Sequence, residues 1–213
     1  MNRAIQERIA IPGPAGPIET VIDLSPSVRG IALVGHPHPL FGGNLENKVV
    51  QTLAKTLRDL GYAALRPNFR GVGASAGSHD QGAGETDDML AVLDYAAQRF
   101  GALPVVLAGY SFGAYVQTHV AKRLADQGRS AQRMVLVGTA AGFIAGARRY
   151  DTEAVPHDTL VIHGEKDNTV PLANVLDWAR AFELPVTVVP DADHFFHRKL
   201  HVIRTIIHHA WRH

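Results

Sequence analysis

Ser111 sits at the centre of Gly109-Tyr110-Ser111-Phe112-Gly113, directly after the apolar run Pro104-Val105-Val106-Leu107-Ala108. A serine on a sharp strand-to-helix turn, with glycine two residues away on either side, has the setting of an exposed nucleophile, because the glycines let strand and helix close around a strained central residue. The competing reading is a plain helix N-cap after a buried strand. Five residues alone are a weak signal, so the question is whether the chain supplies what a serine lacks. A hydroxyl becomes a good nucleophile only when an imidazole takes its proton, and the imidazole needs an acid to fix its tautomer and stabilise the imidazolium. His194, in the polar stretch Asp191-Ala192-Asp193-His194 after the last expected strand, is the best base; His197, one helical turn on, is its competitor. Asp167, in His163-Gly164-Glu165-Lys166-Asp167, is the best acid. Glu165 lies nearer the strand end, and Asp193 is too close in sequence to bond its neighbour's ring comfortably.

Acyl transfer also needs donors for the developing oxyanion. The N–H of Phe112, at the positive end of the following helix, is one candidate. The second is expected from His36-Pro37-His38-Pro39-Leu40: the prolines have no N–H, which leaves His38 or, further on, Leu40. His36 and His38 without a third clustered ligand are thin grounds for a metal, and neither metal nor cofactor is expected. The glycine-rich tract from Gly71 to Gly84 lacks the terminal Gly-Lys-Ser/Thr of a phosphate loop and the spacing of a dinucleotide fingerprint. It reads as a tight ordered loop, held by Arg70 through a carboxylate such as Glu85 or Asp88, the alternative being that Arg70 faces an acidic substrate.

These residues need a scaffold, and the chain alternates strand and helix patterns. Residues 5–11 and 18–24 read as an antiparallel pair, followed by strands at 30–34, 62–69, 104–110, 134–137, 159–162 and 186–189 and helices at 44–60, 85–100, 113–127, 170–182 and 196–211. Such alternation implies a mainly parallel sheet with helices on both faces, whose ligand site lies beyond the carboxyl ends of the strands. The polar segments singled out above all follow apolar runs. With 213 residues the chain has the size of one large domain, 1–213. Its 21 Lys+Arg against 20 Asp+Glu give no electrostatic case for nucleic acid or a membrane surface as partner. Cysteine is absent, which removes thiolate catalysis and disulfide frameworks. No run reaches the roughly 18 apolar residues of a membrane span, and residues 1–8 alternate charged and apolar groups, so the cytoplasm is the default expectation.

The motifs His36-Pro37-His38-Pro39-Leu40-Phe41-Gly42-Gly43, Asn68-Phe69-Arg70-Gly71-Val72-Gly73, Gly109-Tyr110-Ser111-Phe112-Gly113, His163-Gly164-Glu165-Lys166-Asp167 and Asp193-His194-Phe195-Phe196, in this order, resemble the α/β-hydrolase superfamily and within it the small uncapped bacterial serine hydrolases. The resemblance implies an eight-stranded, mostly parallel sheet whose second strand is antiparallel, with Ser111 as nucleophile, Asp167 as acid and His194 as base. Pro37 stands where many members have glycine, which bears on where the second oxyanion donor lies.

The stretch between Gly138 and Thr159 has room for a short helix or loop and not for a helical lid, so an open, shallow site is expected. Phe41, Tyr110, Phe143 and Phe195 are the candidate apolar walls, each with a competing core reading, as have Phe112 and Ile144. The reaction these pieces point to is hydrolysis of a small-molecule carboxylic ester or thioester through an acyl-enzyme. A peptidase or acyltransferase on the same triad, and a non-catalytic binding protein on the same fold, are the alternatives. Edge strands and the segment Val202–Trp211 are surfaces through which two copies could pair as a homodimer.

Overall fold

The computed structural model describes residues 5–146 and 148–211; of the alternating residues 1–8, the first four lie outside that range. Strands β1 (Ile5–Gly13) and β2 (Gly16–Leu24) form an antiparallel pair. They are followed by β3 (Gly30–Gly35), α1 (Lys48–Asp59), β4 (Tyr62–Pro67), α2 (Ala83–Phe100), β5 (Val105–Tyr110), α3 (Phe112–Asp126) and β6 (Arg133–Val137). A two-stranded ribbon, β7 (Gly142–Phe143) with β8 (Arg149–Tyr150), precedes β9 (Leu160–Gly164), α4 (Leu172–Ala181), β10 (Val186–Val189) and α5 (Leu200–Ala210). The main sheet has eight strands in the order β1-β2-β4-β3-β5-β6-β9-β10, with β2 antiparallel to both neighbours and the remaining pairs parallel.

The period-2 alternation of each central strand divides the core into two layers. Leu33, Leu65 and Leu107 point to the side covered by α2, α3 and α4, where they meet Met89, Val116 and Val175. Ala32, Val34, Ala108 and Tyr110 point to the side of α1 and α5, with Leu53, Ile203 and Ile207. Burial on both faces is why these strands read as continuous apolar runs.

Three helices start later than expected, while α2 and α3 start two residues and one residue earlier, at Ala83 and Phe112. The first helix starts at Lys48 and not at residue 44, because Asn47 accepts the Val49 and Val50 N–H groups and so caps the helix there. The last helix starts at Leu200 and not at 196, because Phe196 and Arg198 have φ of 52° and 60°, a conformation that interrupts a right-handed helix. The fourth helix starts at Leu172, with Pro171 as its N-cap and no helical turn at 170. Between β6 and β9 the chain forms the ribbon, where a short helix or loop was expected; the described residues there insert no cap domain.

Buried polar contacts tie the strand ends into one platform. Arg66 of β4, almost fully buried, pairs with Asp23 of β2 at 2.9 Å and donates to the Leu45 carbonyl at 2.6 Å. Asn68 accepts the Leu45 N–H at 2.8 Å. His36 is fully buried, with Nδ1 2.6 Å from the Pro37 carbonyl and Nε2 accepting the Phe69 N–H at 2.9 Å. Those two bonds fix the neutral Nδ1–H tautomer and lock the loop after β3 to the loop after β4. Burial pushes His36 down to about 3. It is a joint in the loop wall.

Candidate active site

Ser111 ends β5 and opens α3 with φ 56° and ψ −119°, a strained conformation for a residue with a side chain. The glycines around it are required by contact. A Cβ on Gly109 would lie 2.5 Å from the Gly113 carbonyl oxygen, and one on Gly113 would lie 2.3 Å from the Gly35 carbonyl carbon. Strand β3, strand β5 and helix α3 therefore meet backbone to backbone, which thrusts Ser111 out at the top of the sheet.

His194 lies in the loop after β10, its Nε2 3.1 Å from Ser111 Oγ and its Nδ1 2.7 Å from Asp167 Oδ2. The other carboxylate oxygen of Asp167 accepts the Thr169 and Val170 N–H groups at 2.9 and 2.7 Å, so the turn after β9 fixes its rotamer. Fully buried His163 adds a further contact, its Nε2 3.0 Å from the Val170 carbonyl and 3.5 Å from Asp167 Oδ2. Ser111, Asp167 and His194 are all buried, which strengthens their mutual interactions relative to water. The competitors are elsewhere. Glu165 is exposed and accepts the Asp191 N–H; Asp193 bonds His197, which is itself exposed.

Phe112 is the first residue of α3, so its N–H has no partner within the helix. Of the two residues named for a second donor, Leu40 has its N–H bound to His38 Nδ1 at 3.3 Å, whereas the His38 N–H has no partner among the described residues. The geometry thus favours His38.

The four residues named as apolar walls divide. Phe41, Phe143 and Phe195 are 70%, 67% and 54% exposed, and Leu40, named above for its N–H, joins them at 70%. Tyr110 corrects the expectation: it is fully buried on the α1/α5 side and donates its hydroxyl to the His194 carbonyl at 2.9 Å. It supports the histidine loop and offers no surface to a ligand. Phe112 is likewise buried, and Phe196, unlike Phe195, is in the core.

Sequence reading missed a second histidine–carboxylate pair. His79 Nδ1 is 2.7 Å from Glu85 Oε1, and the fully buried Glu85 also accepts the Asp80 and Gly82 N–H groups at 2.9 and 2.8 Å. The His79 ring lies 4.7 Å from that of His38 and 5.3 Å from that of Phe112. The polar tract Ser78-His79-Asp80 ahead of Glu85 was the available signal. Arg70, by contrast, makes the expected bond, a two-pronged one to Asp88 at 2.8 Å per prong.

A strained serine, a histidine and a buried carboxylate, brought together at the carboxyl ends of an uncapped parallel sheet, define a serine hydrolase of the α/β type. A family model described as serine aminopeptidase, S33, matches residues 40–151. A lidless α/β serine hydrolase from Xanthomonas campestris is 37% identical, with a TM-score of 0.85 over 99% of this chain and 97% of that one. An uncharacterised protein of Rickettsia prowazekii is 34% identical over 199 residues, 88% of this chain and 81% of its own length. A lysophosphatidylserine lipase of Danio rerio is 36% identical over 84 residues, which cover 39% of this chain and only 22% of that enzyme. The chain belongs to the S33 family within the α/β-hydrolase superfamily. None of the described helices is long and apolar enough to cross a membrane.

Proposed function

We propose that this serine hydrolase cleaves small carboxylic esters or thioesters through an acyl-enzyme on Ser111. The observation that carries the reading is His194 bridging Ser111 and Asp167 at 3.1 and 2.7 Å. His194 Nε2 takes the proton from Ser111 Oγ as the oxygen bonds to the acyl carbon. Asp167 holds Nδ1–H and stabilises the imidazolium, and the N–H groups of Phe112 and His38 receive the oxyanion. The proton then passes from His194 to the leaving alkoxide or thiolate as the C–O or C–S bond breaks. Water, deprotonated by the same imidazole, releases the acid. The exposed rings of Phe41, against His38, and Phe195, against His194, are the apolar surfaces on which an acyl or alcohol group packs, with Phe143 as a further candidate on the ribbon.

The description of the S33 family favours one second reading, an aminopeptidase. Binding a peptide's terminal ammonium calls for a free carboxylate beside the nucleophile. The carboxylate that reaches His79 is already bound by three donors, and a cation, Arg148, donates to the carbonyl of Gln81 in the same loop, so esters fit better than peptides. Steady-state hydrolysis of 4-nitrophenyl esters, the matching thioesters and amino-acid 4-nitroanilides by the native protein and by Ser111→Ala tests both. Ester or thioester turnover that vanishes in the variant supports the reading; turnover of the anilides alone replaces it with the peptidase.

A further inference from the structure

On the side of Ser111 away from Asp167, the ring of Phe112 is surrounded by His38, His79, Tyr115 and Tyr150 at centroid distances of 4.9, 5.3, 5.9 and 6.5 Å. Arg148, from the ribbon, covers this cluster. Its guanidinium carbon stands 4.5 Å from the Tyr150 ring centroid and 5.4 Å from that of Tyr115, and it donates to the Gln81 carbonyl. Its buried, unpartnered Nε sets it apart from the other described arginines, of which Arg29 and Arg133 likewise stand over a ring and donate to a carbonyl without a carboxylate partner. Arg66 pairs with Asp23, Arg70 with Asp88 and even the exposed Arg149 with Asp151. Among the described residues Arg148 meets no carboxylate within ion-pair distance, and its Nε is buried without a hydrogen-bond partner. A partly desolvated guanidinium with spare donors is costly unless an anion completes it.

The neighbours do not supply that anion. Glu85, the carboxylate of this region, is saturated by His79 and two backbone N–H groups. His38 has Nδ1 occupied by the Leu40 N–H, which leaves Nε2 as a donor. His38 is pushed down to about 4, first by burial and then by its neighbours His79 and Arg148, against the opposing pull of Glu85.

We infer that Arg148, with the His38 ring beside it, recognises an anionic group, a carboxylate or a phosphate, carried by the ester substrate. This deepens the hydrolase reading and rests on it. The anion can sit on the acyl chain or on the alcohol, and two substrate pairs separate the cases: 4-nitrophenyl hemiglutarate against 4-nitrophenyl valerate, and 4-acetoxybenzoate against its neutral counterpart 4-acetylphenyl acetate. In the native protein kcat/KM is expected to favour the anionic member of one pair by about tenfold or more, the scale of one charge-assisted hydrogen bond. Arg148→Gln should reduce that preference to about twofold while the neutral ester keeps its rate, and Arg148→Lys should retain part of it.

The inference is overturned if neither pair shows the preference, if Arg148→Gln keeps it, or if both variants lose neutral and anionic turnover alike, which would make Arg148 only a staple for the ribbon. Should no ester be turned over at all, it is the hydrolase reading that fails. Calorimetric titration of glutarate and of inorganic phosphate into the native protein and Arg148→Gln then decides the anion site alone. Heat of binding that the variant loses supports it, and identical titrations dismiss it.

Discussion

Two carboxylate–histidine pairs flank the same serine, each closed at 2.7 Å: Asp167 with His194 and Glu85 with His79. Their lengths are equal and their settings are not. Asp167 spends its second oxygen on the turn of its own loop, and the free face of His194 meets a hydroxyl 3.1 Å away. Glu85 spends its second oxygen on the N–H of Gly82 and shares the first with the N–H of Asp80, so it caps α2 and binds the glycine-rich loop. The outer face of His79 meets aromatic rings. A buried acid–imidazole pair is therefore chemistry only where the imidazole's second nitrogen faces a proton to move; elsewhere it is a fastener.

That contrast can be broken in either half. The largest effect is expected for His194→Ala, which removes the base: kcat for a 4-nitrophenyl ester should fall by about 10⁴-fold or more, with KM little changed. Next comes the comparison of matched variants. Asp167→Asn leaves a near-isosteric group in place and should cost about 10²- to 10⁴-fold in kcat through the wrong imidazole tautomer. Glu85→Gln should leave kcat within a few-fold and instead lower stability by about 1–3 kcal/mol in denaturant unfolding. Equal kinetic losses in the two variants would erase the distinction.

Stability should also depend on acid through His36. Its folded pKa, about 3, lies below the unfolded value of about 6.5, so between those values the unfolded chain binds the extra proton. The stabilisation is present in full above pH ~6.5 and is lost as pH falls towards about 3, a few kcal/mol in all for so deeply buried a ring. Urea midpoints measured from pH 7 to 4 should decline, and less steeply in His36→Asn. The smallest effect belongs to Tyr110→Phe, which deletes one hydrogen bond to the His194 carbonyl. It should cost about 1 kcal/mol of stability and lower kcat modestly, without altering ester preference.

The same comparison separates what the sequence could disclose from what it could not. The Ser111 side was legible because its three groups each follow a strand of strong apolar pattern, and a parallel sheet gathers such loops at one edge. The Glu85 pair was not, because its partners meet across a loop whose glycines carry no periodicity, and nothing in the residue types says that Glu85 turns to His79 while Asp88 takes Arg70. Tyr110 was misread for a related reason: alternation places it on a face of β5 but does not say that this face is the one beneath α1 and α5. The late starts of α1 and α5 came from an Asn cap and from left-handed residues, both set by local bonds that a hydrophobic pattern does not record. The exposure of Arg148's chemistry depended on a ribbon too short to show any pattern at all.

The central claim is that Ser111 is an activated nucleophile, and covalent labelling tests it most directly. Native protein and Ser111→Ala would each be treated with a fluorophosphonate, weighed intact and mapped by peptide. The account predicts a single adduct on the native chain, located at Ser111, and none on the variant. An unlabelled native protein, or an adduct that persists when Ser111 is alanine, would contradict it.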